Sequence, residues 1–171
     1  MGWEGPLERG DGDKPNQTNR SRPIYAGGGS GREILIIKRS NKMPSFGERS
    51  LVQLETCHPS LILLFTEVIK YWDCTIIEGK RTLEQQQLNL LTGASKTLNS
   101  KHIPVNGVSM AVDVSPYPIK WTDYNRFYAF AGFVIGTAVQ LGIKVRWGGD
   151  WDGDRDFSDQ KFNDLVHFEL L

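Results

Sequence analysis

The chain is poor in cysteine and histidine, with 2 and 3 among 171 residues. Two cysteines are too few for the disulfide framework of a small secreted scaffold. Cys57 and Cys74 are expected as buried thiols, with a bridge formed after export as the alternative. No apolar run approaches the roughly 20 residues that a membrane span requires, so no membrane insertion is expected. Charge of either sign is not in excess, at 20 basic and 20 acidic side chains. That balance excludes the basic footprint of a nonspecific nucleic-acid binder. Met1–Lys14 has no basic stretch followed by an apolar one, so no secretory signal peptide is expected. Synthesis in a cytoplasm follows, and work outside it would need a separate release step. No internal repeat is present.

What remains is enough for one domain. Hydrophobic residues make up 39% and charged residues 23%, which excludes a collagen, a coiled coil and a wholly disordered chain. Two parts differ in character. Residues 1–42 hold a small-residue run, Ala26-Gly27-Gly28-Gly29-Ser30-Gly31, and a formal charge of +3, against −3 for the rest. Only Ile34-Leu35-Ile36-Ile37 reads there as a short strand. The stretch is expected to be a disordered tail, or an extension upstream of a natural start at Met43. The globular domain is then 43–171.

Within that domain, helical and strand patterns mix without a βαβ rhythm. Leu51, Leu54, Leu61, Leu64, Phe65, Val68, Ile69 and Trp72 predict two helical stretches divided at His58-Pro59. Thr75-Ile76-Ile77 predicts a short strand. Thr82 caps a helix to about Leu91, stopped by Gly93. Ser109–Val114 predicts a strand, and Thr122 or Asp123 caps a long helix that ends at Gly142. Ile143–Trp147 and Val166–Leu170 predict two further strands around a Gly/Asp-rich loop. The fold class is α+β, with a small, mostly antiparallel sheet packed with helices.

The polar residues inside apolar strands carry the chemistry. Asp113 sits in Met110-Ala111-Val112-Asp113-Val114, and His167 in Leu165-Val166-His167-Phe168. A carboxylate there is costly to bury unless paired or metal-bound. With His102, after the polar loop Ser100-Lys101, they make two imidazoles and a carboxylate. That is the protein donor set of a catalytic zinc site, whose fourth position is left to water. Asp164, three residues before His167, is a candidate general base. The alternative is a pair of satisfied histidines and a strand-end aspartate. His58, at a helix start, reads as structural, a cap or a packed polar residue. Asp150, Asp152, Asp154 and Asp156 alternate like the start of a calcium loop, but Arg155 and Lys161 stand where an EF-hand needs Gly and Glu. A solvated acidic loop is expected.

Taken together, Ser100-Lys101-His102, Ala111-Val112-Asp113, Trp147-Gly148-Gly149-Asp150-Trp151 and Asp164-Leu165-Val166-His167-Phe168-Glu169 resemble the zinc L-alanyl-D-glutamate peptidases of phage endolysins. Those enzymes group with the D-alanyl-D-alanine carboxypeptidases of the vancomycin-resistance type. Glu78-Gly79-Lys80-Arg81-Thr82, followed by Gln86, is similar to a further family segment. The resemblance covers about 45–171 and implies the zinc D,D-peptidase and Hedgehog-like fold. It implies Zn2+ held by His102, Asp113 and His167, with Asp164 as general acid/base. It also implies Arg81, Gln86 and Ser100 on the substrate, Arg81 through its carboxylate-matching fork. The implied substrate is the peptidoglycan stem peptide, cut at L-Ala–D-Glu. A monomer is expected, and the lack of a signal peptide favours release to the wall through a holin. A D-alanyl-D-alanine carboxypeptidase and a non-catalytic zinc-binding module on the same fold are the rivals. Glu169, two residues past His167 and so on the same strand face, is expected to orient a ligand rather than bind metal. Trp147, Trp151 and Tyr117 are candidate cleft aromatics. One departure stands out. Ten residues separate His102 from Asp113, where six are usual in the family, and Pro104-Val105-Asn106-Gly107 reads as a longer turn.

Overall fold

The structure, a computed structural model, describes residues 43–171; the readings of residues 1–42, the Ile34–Ile37 strand included, lie outside them. The elements run α1 (Glu48–Leu54), α2 (Pro59–Val68), β1 (Cys74–Glu78), α3 (Leu83–Leu91), β2 (Ala111–Pro116), α4 (Tyr124–Gln140), β3 (Val145–Trp147) and β4 (His167–Leu170). The strands form one antiparallel sheet in the order β1-β2-β4-β3. The molecule is α+β, as the mixed patterns predict.

Local chemistry explains where each helix begins. Pro59 occupies the first turn of α2, where its missing N–H costs nothing, and the His58 Nδ1 accepts from the Ser60 N–H at 3.2 Å. Thr82 and Gln85 close a reciprocal capping box on α3. Asp123 holds the N-cap position of α4 without a side-chain cap bond. α1 lies along the outer edge of β1 and satisfies it: Ser50 Oγ accepts from Ile76 N–H at 3.2 Å, and Gln53 Oε1 from Gly79 N–H at 3.1 Å. Those bonds occupy donors that an open edge would offer to another strand.

The sheet has two faces of different chemistry, set by the two-residue period. Val112, Val114, Trp147, Phe168 and Leu170 pack against Leu61, Leu64, Phe65 and Val68 of α2 and Phe130, Val134 and Ala138 of α4. Phe168 sits edge-on between Phe65 and Phe130, with ring centroids at 5.6 and 6.2 Å. Phe65 is wholly buried, so truncating it to Ala costs about 3–5 kcal/mol. The opposite face carries Asp113, His167 and Glu169, all buried.

The strand ends shift from expectation for identifiable reasons. Ser109 is drawn out of the ladder because its N–H donates to Thr56 O and its carbonyl accepts from His58 N–H. Pro116 stays in β2, opposite Cys74 at the strand end, where a proline removes no interior ladder bond. Ile143 N–H still bonds back to Ala138 O at 2.9 Å, which holds it in the C-terminal turn of α4. Cys57 and Cys74 are buried free thiols, pushed up to about 11 and about 12, chiefly by burial.

Candidate metal centre and active-site cleft

β2 and β4 bring the first two donors together. Asp113 and His167 are direct cross-strand partners, which puts their side chains on the same face at close range. Asp113 Oδ1 lies 3.0 Å from His167 Nδ1. His102 arrives from the loop before β2. Its Nε2 is 3.1 Å from Asp113 Oδ1 and 3.1 Å from His167 Nδ1. That loop is held in place by Arg81 N–H donating to His102 O at 2.9 Å and Met110 N–H to Lys101 O at 2.9 Å. The residues added between His102 and Asp113 fold into a tight turn. Val105 and Val108 exchange backbone bonds, with Asn106 and Gly107 at φ of 53° and 88°. Positive φ at both central residues is the hairpin turn that Asn-Gly favours, so the longer spacing leaves His102 beside Asp113.

Protons decide what this trio can hold. His102 Nδ1 lies 2.6 Å from Gly79 O, which can only accept, so Nδ1 carries the hydrogen. His167 Nε2 lies 3.1 Å from Glu169 Oε2 and donates to that carboxylate. Each neutral ring therefore turns its lone pair toward Asp113 Oδ1. Three acceptors about 3 Å apart repel unless a cation or proton sits among them. A proton on His167 can take that place. Burial opposes it, but hydrogen bonds to Asp113 and Glu169 win and raise the imidazole to about 9. Burial also opposes ionisation of Asp113, yet the two histidines hold its carboxyl well below the usual range. Tetrahedral zinc with bonds of about 2.0–2.1 Å would place its donors roughly 3.3 Å apart, so the donor set and spacing fit that ion.

Around the trio lies a cleft of about 620 Å³, whose lining includes Arg81, Ser100, Asp164, Trp151 and Phe162. The Asp164 carboxyl is raised, first by burial and then by Asp113, and partly offset by His167, His102 and Arg81. Its backbone is fixed at both ends: Asp164 N–H donates to Gly148 O at 2.8 Å, and Asp164 O accepts from His167 N–H at 3.0 Å. Gly148 allows this approach. A Cβ there would strike Asp164 O and stand 3.0 Å from both Asp164 Cβ and His167 Cβ.

Arg81 Nε donates to Glu78 Oε1 at 2.9 Å, and its Nη2 pairs with Glu78 Oε2. Nη1 donates to Gln86 Oε1 at 2.7 Å, and Nη2 stands 3.8 Å from Asp113 Oδ2. Gln86, expected to help hold the peptide, does not line the cleft. Gln86 is wholly buried behind the cleft, where its Nε2 donates to Ser95 Oγ at 2.8 Å and Thr97 O at 2.5 Å. Ser100 lines the cleft, and its Oγ accepts from His102 N–H at 3.3 Å. Glu169 stands behind His167, not among the three donors.

Of the three candidate cleft aromatics, Trp151 flanks the site, with its ring 5.4 Å from that of His167. Trp147 is in the core, and its Nε1 donates to Leu165 O. Tyr117 is exposed beyond the end of β2 and does not line the cleft. Arg146, Lys101 and Phe162 line the cleft without having been singled out in the sequence. The alternation of Arg146 with apolar Val145 and Trp147 was the available signal for the first. Asp150, Asp152 and Asp154 bring carboxylates within 4.8 Å of one another, Asp150 buried and the others exposed. Asp150 Oδ1 already accepts from Gly153 N–H at 2.9 Å, and Asp154 Oδ1 from Asp156 N–H at 2.7 Å.

An antiparallel α+β domain with two imidazoles and a carboxylate on its floor, and a further carboxylate at its rim, has the groups of a single-metal hydrolase. The chain belongs to the phage L-alanyl-D-glutamate peptidase family, whose model matches residues 43–171. It is 33% identical over 123 residues to the L-alanyl-D-glutamate peptidase of Escherichia phage T5, covering 67% of this chain and 87% of that one. Among solved structures it is similar to the Serratia marcescens L-Ala D-Glu endopeptidase ChiX. That likeness has a TM-score of 0.62 and 27% identity, over 78% of this chain and 96% of ChiX. No helix among the described residues is long and apolar enough to cross a membrane.

Proposed function

We propose that this chain is a zinc-dependent peptidoglycan peptidase that hydrolyses the L-Ala–D-Glu bond of the stem peptide. The observation that carries the reading is the convergence of three acceptor atoms, from His102, Asp113 and His167, in a buried cluster beside a cleft. Those residues would hold the ion, which supplies Lewis acidity toward a carbonyl oxygen and lowers the pKa of water. Asp164 takes the proton of the attacking water and returns it to the leaving amine. Burial, which raises its carboxyl, suits it to both tasks. Arg81 presents the N–H groups left over from Glu78 and Gln86 to a substrate carboxylate, and Ser100 contacts the peptide. Glu169 orients His167.

One chain supplies all three proposed donors, so the site requires no second copy, and the proposed working unit is a monomer. The formal net charge of zero gives no basis for a nucleic-acid partner. Wall access after release through a holin fits the phage relatives. The test is mass spectrometry of muropeptides from purified sacculi digested with the full chain. New L-Ala and D-Glu termini are expected. Loss of terminal D-Ala alone would make the chain a carboxypeptidase. Intact muropeptides with zinc bound would make it a recognition module.

A further inference from the structure

We propose that Arg146 is a positioning residue for the metal centre, acting through Glu169 on His167. The inference rests on the zinc-site reading above. Arg146 and Glu169 are direct cross-strand partners on β3 and β4, so the sheet register itself sets the guanidinium against the carboxylate. Nε and Nη2 both donate to Glu169 Oε1, at 3.0 and 2.5 Å. That leaves Oε2 to accept from His167 Nε2 at 3.1 Å. The two carboxylate oxygens are thus divided: one is held by Arg146, the other holds the imidazole. With Nε2–H so engaged, Nδ1 is the nitrogen that faces His102 and Asp113.

A buried carboxylate needs a counter-charge, and the Glu169 side chain is only 6% exposed. Lys101 is a second counter-charge, but it lacks the two-point fork of Arg146 and stands beyond hydrogen-bond distance. Its Nζ is 3.6 Å from Glu169 Oε1 and already bonds Leu170 O. Without Arg146, Glu169 is drawn toward Lys101 and His167 loses a fixed acceptor. Arg146 is itself locked from a second side. Its Nη1 donates to Trp151 O at 3.1 Å, and its guanidinium carbon lies 5.5 Å from the Trp151 ring centroid, within cation–π range. One side chain therefore fixes both the carboxylate behind His167 and the indole beside it.

The test uses the full chain and three variants, Arg146→Met, Arg146→Lys and Glu169→Gln, with the double variant of the first and third. Zinc Kd is measured by competition with a chromophoric chelator, with the folded fraction checked by circular dichroism. Two-bond nitrogen–proton NMR spectra of the zinc-loaded chain report which His167 nitrogen binds. In the wild type Nδ1 is expected to be the ligand. Arg146→Met is expected to weaken zinc binding roughly 10–100-fold, the range for loss of such outer partners. Arg146→Lys keeps the charge but not the fork, and is expected to fall between. It carries the test if Arg146→Met does not fold. The double variant is expected to bind no more weakly than Glu169→Gln, because the two act in series. An unchanged Kd in the Met or Lys variant overturns the proposal, as does full additivity or ligation through Nε2. A wild-type chain that binds no zinc removes the metal reading itself, and this proposal with it.

Discussion

Asp164 and Gly148 show how single residues set this site. Asp164 lines the cleft but is not one of the three converging donors. Replacing it with Asn preserves shape and removes a group that accepts a proton at neutral pH. Asp164→Asn is therefore expected to keep its zinc and lose about 10²–10⁴-fold in kcat. Turnover on a stem peptide, with metal content measured alongside, checks this, and wild-type turnover would remove Asp164 from the proton path. Gly148 contributes by lacking a side chain. Its N–H donates to His167 O at 2.9 Å while its carbonyl holds Asp164. Ala there would push Asp164 and His167 apart at their backbones, so Gly148→Ala is expected to lower zinc affinity and kcat together. Zinc titration of the purified variant would expose the opposite result.

At the scale of elements, α3 inverts the usual helix pattern. Gln86 is its buried residue, while Leu83, Leu88 and Leu91 are exposed at 51%, 59% and 85%. The helix does not dock on the apolar core. It turns a polar side chain toward Arg81 and the backbone of the 95–97 loop. Leu at position 86 would strand a part-buried Arg81 N–H, at about 1–3 kcal/mol for an unsatisfied group, while the Thr97 carbonyl would keep its bond from Ser95 Oγ. Gln86→Leu is expected to lower the melting temperature and raise KM, with zinc content unchanged. Steady-state kinetics and a thermal melt separate this from direct substrate contact, which would leave the melting temperature alone.

For the whole molecule, the proposed zinc site implies that metal binding and folding are coupled. The donors come from a loop and two strands far apart in sequence, so an unfolded chain holds no preformed site. Zinc at about 100 times its Kd is expected to add roughly 2.7 kcal/mol of stability, several degrees in Tm for a domain of this size. His167→Ala is expected to abolish that shift, and calorimetry with and without chelator measures it. A zinc-dependent shift that survives in the variant would place the ion elsewhere. Residues 1–42 hold none of the proposed site residues. Their deletion is expected to leave zinc affinity and stem-peptide turnover within about twofold. A large loss of either would give that segment a part in the site.

The mixed helix and strand periods, the caps at His58 and Thr82, and polar residues inside apolar strands were all legible in the amino-acid sequence. They are local: a cap needs only its own turn, and an aspartate among valines advertises its burial cost wherever it lands. The family blocks also singled out His102, Asp113 and His167 as candidates. Strand register was not legible. Which residue faces Asp113 depends on pairing between positions 54 apart in the chain, and a slip of one would turn His167 to the other face. The same non-local register set Arg146 opposite Glu169. Packing also drew Gln86 inward and Trp147 into the core. Side-chain type proposed the chemistry, while tertiary pairing decided which polar groups meet, because contact between distant segments is fixed by the sheet and not by local spacing.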